Sequence, residues 1–123
     1  MANIEMFTGL SFAKVEGMVK GSDEVIFTTT SGEVFEMYHQ QECCEDVWLE
    51  DVCGDVDDII NSKIIHFDVR TQEGEGSHEF VESATWTFYD IQTEKGSVNL
   101  RWVGESNGYY SESVQIDLVL GRD

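Results

Sequence analysis

The chain has 123 residues and a mass of 14.0 kDa, enough for one domain around a single core, residues 1–123. Twenty-five acidic residues against seven basic ones give a net charge of −18, a field that repels phosphate backbones and anionic membranes. Direct nucleic-acid binding is therefore disfavoured, and no apolar run reaches the roughly 18–20 residues of a membrane span. The N-terminal MANIEMFTGL lacks a basic segment followed by an apolar one, so it does not read as a secretory signal. The expected setting is the cytoplasm.

In chain order the sequence reads as α+β, mostly β, with antiparallel strands and one short helix. Ser11–Met18 is a first strand candidate. Asp23–Thr30 and Glu33–His39 are strand-like runs joined at Ser31-Gly32, which predicts a tight hairpin. Val47–Val52 is a short strand. Gly54-Asp55 then opens a helix over residues 55–61. Asp55 is placed to cap it, Asp57 and Asp58 suit its positive end, and Val56, Ile59 and Ile60 share a face. Lys63–Val69 resumes as a strand, and the polar, glycine-bearing Thr71–His78 reads as a loop. Glu82–Thr93, Gly96–Glu105 and Gly108–Leu120 read as a three-stranded meander, its last turn marked by Asn107-Gly108. Alternation predicts that Trp86, Leu100, Trp102, Ile116 and Leu118 share one buried face.

The densest stretch is Tyr38–Asp58, YHQQECCEDVWLEDVCGDVDD, with eight acids, all three cysteines and no lysine or arginine in 21 positions. His39, Cys43, Cys44 and Cys53 supply four donors, enough in number for tetrahedral zinc. The adjacent cysteines lack the usual Cys-x(2–4)-Cys loop, and in an extended strand they point to opposite sides. Adjacent cysteines also pair only through a strained ring, so free thiols and no resident metal or cofactor are expected. The acids do not follow the D-x-D-x-D-G calcium pattern with its distal glutamate. Nucleophile elbows, phosphate loops and dinucleotide fingerprints are all absent. Non-enzymatic function is the expectation. The second dense stretch, Arg101–Val114, reads as a hairpin whose tip could present tyrosines to a partner.

The strings Tyr38-His39-Gln40-Gln41, Cys43-Cys44-Glu45, Trp86-Thr87-Phe88-Tyr89, Arg101-Trp102 and Gly104–Val114 (GESNGYYSESV) resemble a family of small bacteriophage and prophage proteins. The resemblance covers roughly residues 22–115. That family is uncharacterised, so no catalytic residue carries over. It implies a phage accessory gene expressed inside a bacterium. Small acidic phage proteins of this kind act on host machinery, including defence nucleases and CRISPR complexes, whose nucleic-acid grooves are basic.

The resulting expectation is an interaction protein that inhibits such a complex, an anti-CRISPR or other anti-defence type, by nucleic-acid mimicry. Its candidate contacts are Glu42, Glu45, Asp46, Glu50, Asp51, Asp55, Asp57 and Asp58, with Asn107, Tyr109 and Tyr110 at the hairpin. The partner would be a host protein with a basic nucleic-acid-binding surface. The alternatives are a small-ligand binder or sponge, against which the composition counts because only Arg70, Arg101 and a few lysines could serve an anionic ligand, and a minor virion or assembly factor.

Overall fold

The structure, a computed structural model, describes residues 4–42, 44–74, 83–106 and 111–120. The described residues are mostly β, with eight strands among them in two antiparallel sheets. The first sheet has the order β1-β2-β3-β8: β1 (Phe12–Glu16), β2 (Glu24–Thr29), β3 (Val34–Tyr38) and β8 (Gln115–Leu120). The second has the order β4-β7-β6-β5: β4 (Asp46–Cys53), β5 (Ile64–Gly74), β6 (Ser83–Thr93) and β7 (Ser97–Ser106). The β2–β3 hairpin forms at Ser31-Gly32, where Gly32 takes a φ of 94° that side chains with a Cβ rarely adopt.

The two sheets close on an apolar interior. The first contributes Phe12, Val25, Phe27, Phe35, Met37 and Ile116; the second contributes Leu49, Ile64, Phe67, Ile91, Leu100 and Trp102. Phe7 sits between them, edge-on to Phe35 at 4.7 Å and stacked on Phe67 at 4.6 Å between ring centroids. Backbone bonds also tie the layers. Leu49 donates its N–H to the Ser22 carbonyl (2.7 Å) and accepts from Gly21 (2.8 Å), which covers the middle of edge strand β4.

Four expectations need correction. The helix over 55–61 is a single 3-10 turn, Val56–Ile59; Asp55 caps it, accepting from the Asp57 N–H at 3.0 Å. Ile60 ends it, because its extended backbone turns instead to a bridge with Phe12. Second, the meander is β5-β6-β7. β8 crosses to the first sheet and pairs with β3, so that Leu118, on edge strand β8, is 47% exposed.

Third, residues 71–74 extend β5 rather than forming a loop, pairing Thr71 with Thr87 and Gly74 with Ala84. Fourth, Trp86 faces away from the core. The buried residues of β6 are Ala84, Thr87, Tyr89, Ile91 and Thr93. Among the described residues no helix is long and apolar enough to cross a membrane.

Candidate contact surface

The acids of the dense stretch divide by environment. Glu42 and Asp46 are exposed. Glu45 is 1% exposed, which overturns its reading as a surface acid. His39 explains why it goes inside. His39 Nδ1 donates to the Ser113 carbonyl at 2.6 Å, and its Nε2 lies 2.7 Å from Glu45 Oε2. A carbonyl only accepts, so the proton on Nδ1 is fixed by that contact. Glu45 accepts further from the Glu42 N–H (3.0 Å) and the Gln41 side chain (3.3 Å). A carboxylate so surrounded keeps enough partners to stay in the interior. It links the segment before β4 to the segment before β8.

The remaining acids of the stretch serve local roles as well as charge. Glu50 Oε1 lies 2.6 Å from Arg101 Nε, and Asp51 stands 3.9 Å from Arg101 Nη2 and 3.5 Å from Lys20 Nζ. Asp55 caps the 3-10 turn, Asp57 is exposed on it, and Asp58 is half-buried against Gly96. A Cβ at Gly96 would come 2.8 Å from the Asp58 carboxylate, so the glycine makes that approach possible. Asn107, Tyr109 and Tyr110 lie outside the described residues.

Of the expected zinc donors, Cys43 lies outside the described residues, and His39, Cys44 and Cys53 are not gathered. Both nitrogens of His39 are engaged as above, and Cys53 is an exposed free thiol at the far end of β4, opposite Asn99. Cys44 is disulfide-bonded, contrary to the expectation of free thiols. Among the described residues, no three His, Cys, Asp or Glu side chains are placed to hold a metal.

A second surface emerges that chain order hides. Strand register places Trp48, Val103, Trp86 and Gln72 in one row across the second sheet, on the face turned away from the first sheet. The next row holds Asp51, Arg101, Phe88 and Arg70, and the next Cys53, Asn99, Asp90 and Asp68. Neighbouring rows are roughly 7 Å apart, two residues along a strand. Trp48, Trp86 and Phe88 are half-buried, and Val103, flanked by the two indoles, is 3% exposed. Trp86 lies over the bare backbone of Gly74, where a Cβ would come 2.8 Å from the ring.

Arg70 holds its Cζ 4.9 Å above the centre of the Phe88 ring, a cation–π contact. A cleft of about 460 Å³ opens over this part of the sheet, lined by Arg70, Phe88, Arg101, Asp68, Asp90 and Asn99 among others. Two of the chain's three arginines stand here. Asp68 is directly opposite Asp90, a like-charged pair that costs stability when nothing neutralises it. Asp90 accepts from Gln92 at 2.9 Å and has His66 at 3.8 Å. Asp68 has no ion-pair partner among the described residues.

The opposite face of the same sheet carries a buried acid of a different kind. Glu112 (7% exposed) crosses over Gly104 and accepts from the hydroxyls of Ser83 (3.2 Å), Thr85 (2.7 Å) and Ser106. Here a glycine in β7 makes room, and three hydroxyls replace water. This is structural chemistry, with each donor drawn from the sheet that Glu112 packs on.

Fold and surfaces together define a two-sheet antiparallel β domain whose sheet face joins aromatic side chains to arginines and carboxylates. The chain belongs to the DUF7448 family, a domain of unknown function, matched over residues 5–116. No curated protein and no solved structure is significantly similar to it.

Proposed function

We propose that this DUF7448 domain is a phage-encoded interaction protein. In this reading it binds and inhibits a host nucleic-acid-handling or defence complex through that complex's basic surface. The observation that carries the reading is the net charge of −18, with Glu42, Asp46, Asp55 and Asp57 exposed before, along and after edge strand β4. Such a field speeds encounter with a basic groove and occupies it in place of nucleic acid. The resemblance to phage proteins supplies the setting, a gene product made inside the bacterium whose defence it meets.

A small anionic ligand is the competing use of Arg70 and Arg101. Both stand on one sheet face, which favours it. Each guanidinium is already engaged, however, Arg70 on Phe88 and Arg101 with Glu50 and Asp51. With Asp68 and Asp90 beside them, four carboxylates outnumber two cations, and an anion entering there meets net repulsion. The balance favours a cationic partner.

The test is binding of the purified chain to purified host defence nucleases across a salt series, with cognate nucleic acid as competitor. Affinity is expected to fall steeply with salt and with competitor. Joint reversal of Asp46, Asp55 and Asp57 to lysine should weaken binding at least tenfold. Salt-independent binding that nucleic acid does not displace would contradict the reading.

A further inference from the structure

We infer that the outer face of the second sheet is a receptor for arginine side chains of the basic partner; this deepens the reading above and rests on it. Charge alone attracts any cation, so the discriminating features are those that tell a guanidinium from an ammonium. Trp48, Trp86 and Phe88 are three aromatic groups on one face, half-buried and not covered by the other sheet. A planar guanidinium stacks on such rings and presents a fork of N–H donors to carboxylates, while an ammonium does neither well.

The face already shows this chemistry with the chain's own arginines. Arg70 lies over Phe88, and Arg101 is held through its Nε by Glu50. One row further on, Asp68 and Asp90 stand opposite each other with no arginine or lysine paired to either among the described residues. The rows on either side of the Phe88–Arg70 stack thus offer rings on one side and acceptor oxygens on the other. A guanidinium arriving from a partner meets indole on Trp86 or carboxylate at Asp68 and Asp90, and the cleft of about 460 Å³ has room for its side chain.

The rim suits the same partner. Asp46, Glu50 and Asp51 on β4 flank the aromatic centre. An aromatic and arginine centre with a charged rim is the anatomy of a protein–protein contact. Here the rim is acidic, so the facing surface is basic.

The experiment compares two blocked hexapeptides, one alternating arginine with glycine and one alternating lysine with glycine, titrated into the full chain at fixed salt. Tryptophan emission reports binding. The arginine peptide is expected to bind about fivefold more tightly than the lysine peptide. That preference should vanish in Trp86→Ala and in the double variant Asp68→Asn/Asp90→Asn. The double variant removes a like-charge repulsion and so keeps the fold, which thermal melting checks.

Equal affinity for the two peptides in the wild type overturns the inference. So does a preference that survives both variants. If both peptides bind equally and are lost only on reversing the β4 acids, the inference falls while the proposed function stands. If neither peptide binds the wild type, both fall.

Discussion

The two faces of the second sheet use tryptophan for opposite purposes. On the inner face Trp102 is wholly buried among Leu49, Leu100 and the phenylalanine core. On the outer face Trp48 and Trp86 flank Val103 and remain half-exposed. Adjacent residues of one strand, Trp102 and Val103, thus point to the core and to the outer face respectively. Acids divide in the same way: Glu45 and Glu112 are buried with dedicated donors, while Asp68 and Asp90 face solvent across from one another. The lesson is that residue type and local density do not assign function here; the side of the sheet does.

The largest effect expected from this contrast is at Trp102. Trp102→Ala should cost about 3–5 kcal/mol, the range for truncating large buried aromatics, and lower the thermal midpoint sharply. Trp86→Ala should leave the midpoint nearly unchanged by comparison. Similar losses for the two would erase the distinction between the faces.

The buried acid comes next. Glu45→Ala leaves His39 without its carboxylate in a site where both side chains are at most 5% exposed. A loss of about 3 kcal/mol is expected, as for breaking a buried pair. Asp46→Ala, one residue on and exposed, should lie within about 0.5 kcal/mol of the parent. Chemical denaturation of the two variants makes the comparison. A harmless Glu45→Ala would show that Glu45 is not held inside.

These expectations show what could be read before the structure. The β2–β3 hairpin was legible because Ser31-Gly32 is a local signal, and Asp55 was correctly placed as a cap. The destination of β8 was not, since alternation through Val114, Ile116 and Leu118 marks a strand without naming its neighbour. β3 lies some eighty residues earlier in the chain. The outer face was missed because β6 alternates apolar groups on both sides. Trp86 and Phe88 outrank Thr87 and Thr93 in hydrophobicity, yet the threonines are the buried set. A usable clue was present: arginine is scarce in this chain, and both Arg70 and Arg101 fall in strands beside aromatic residues. Glu45 was misread as surface because its partner, the carbonyl-anchored His39, is recognisable only in three dimensions.

The smallest effect is on the outer face of the first sheet, where Glu24, Glu36 and Asp117 crowd together. Burial, a hydrogen bond with Glu24 and repulsion from Glu24 and Asp117 raise the carboxyl of Glu36 above its usual range. A raised acid disfavours the folded state once ionised, so its penalty is absent below the unfolded value and grows as pH rises through the folded one. Glu36→Gln should therefore raise the midpoint at neutral pH, with the gain shrinking on acidification. Asp117 goes the other way, lowered by hydrogen bonds from Tyr38 (2.8 Å) and Gln115 (2.9 Å). Asp117→Asn should cost stability at neutral pH and little below the acid's folded value. Melting curves across pH check both signs; a Glu36→Gln gain that grows on acidification would contradict the assignment.

The most direct measurement of the central claim is the indole N–H spectrum of the chain as the arginine peptide is added. Three tryptophans give three reporters, two on the outer face and one in the core. The signals of Trp48 and Trp86 should shift in a saturable way while that of Trp102 stays put. Shifts confined to the backbone of Asp46–Asp58, with both outer indoles unmoved, would place the contact on the β4 acids alone and contradict the account.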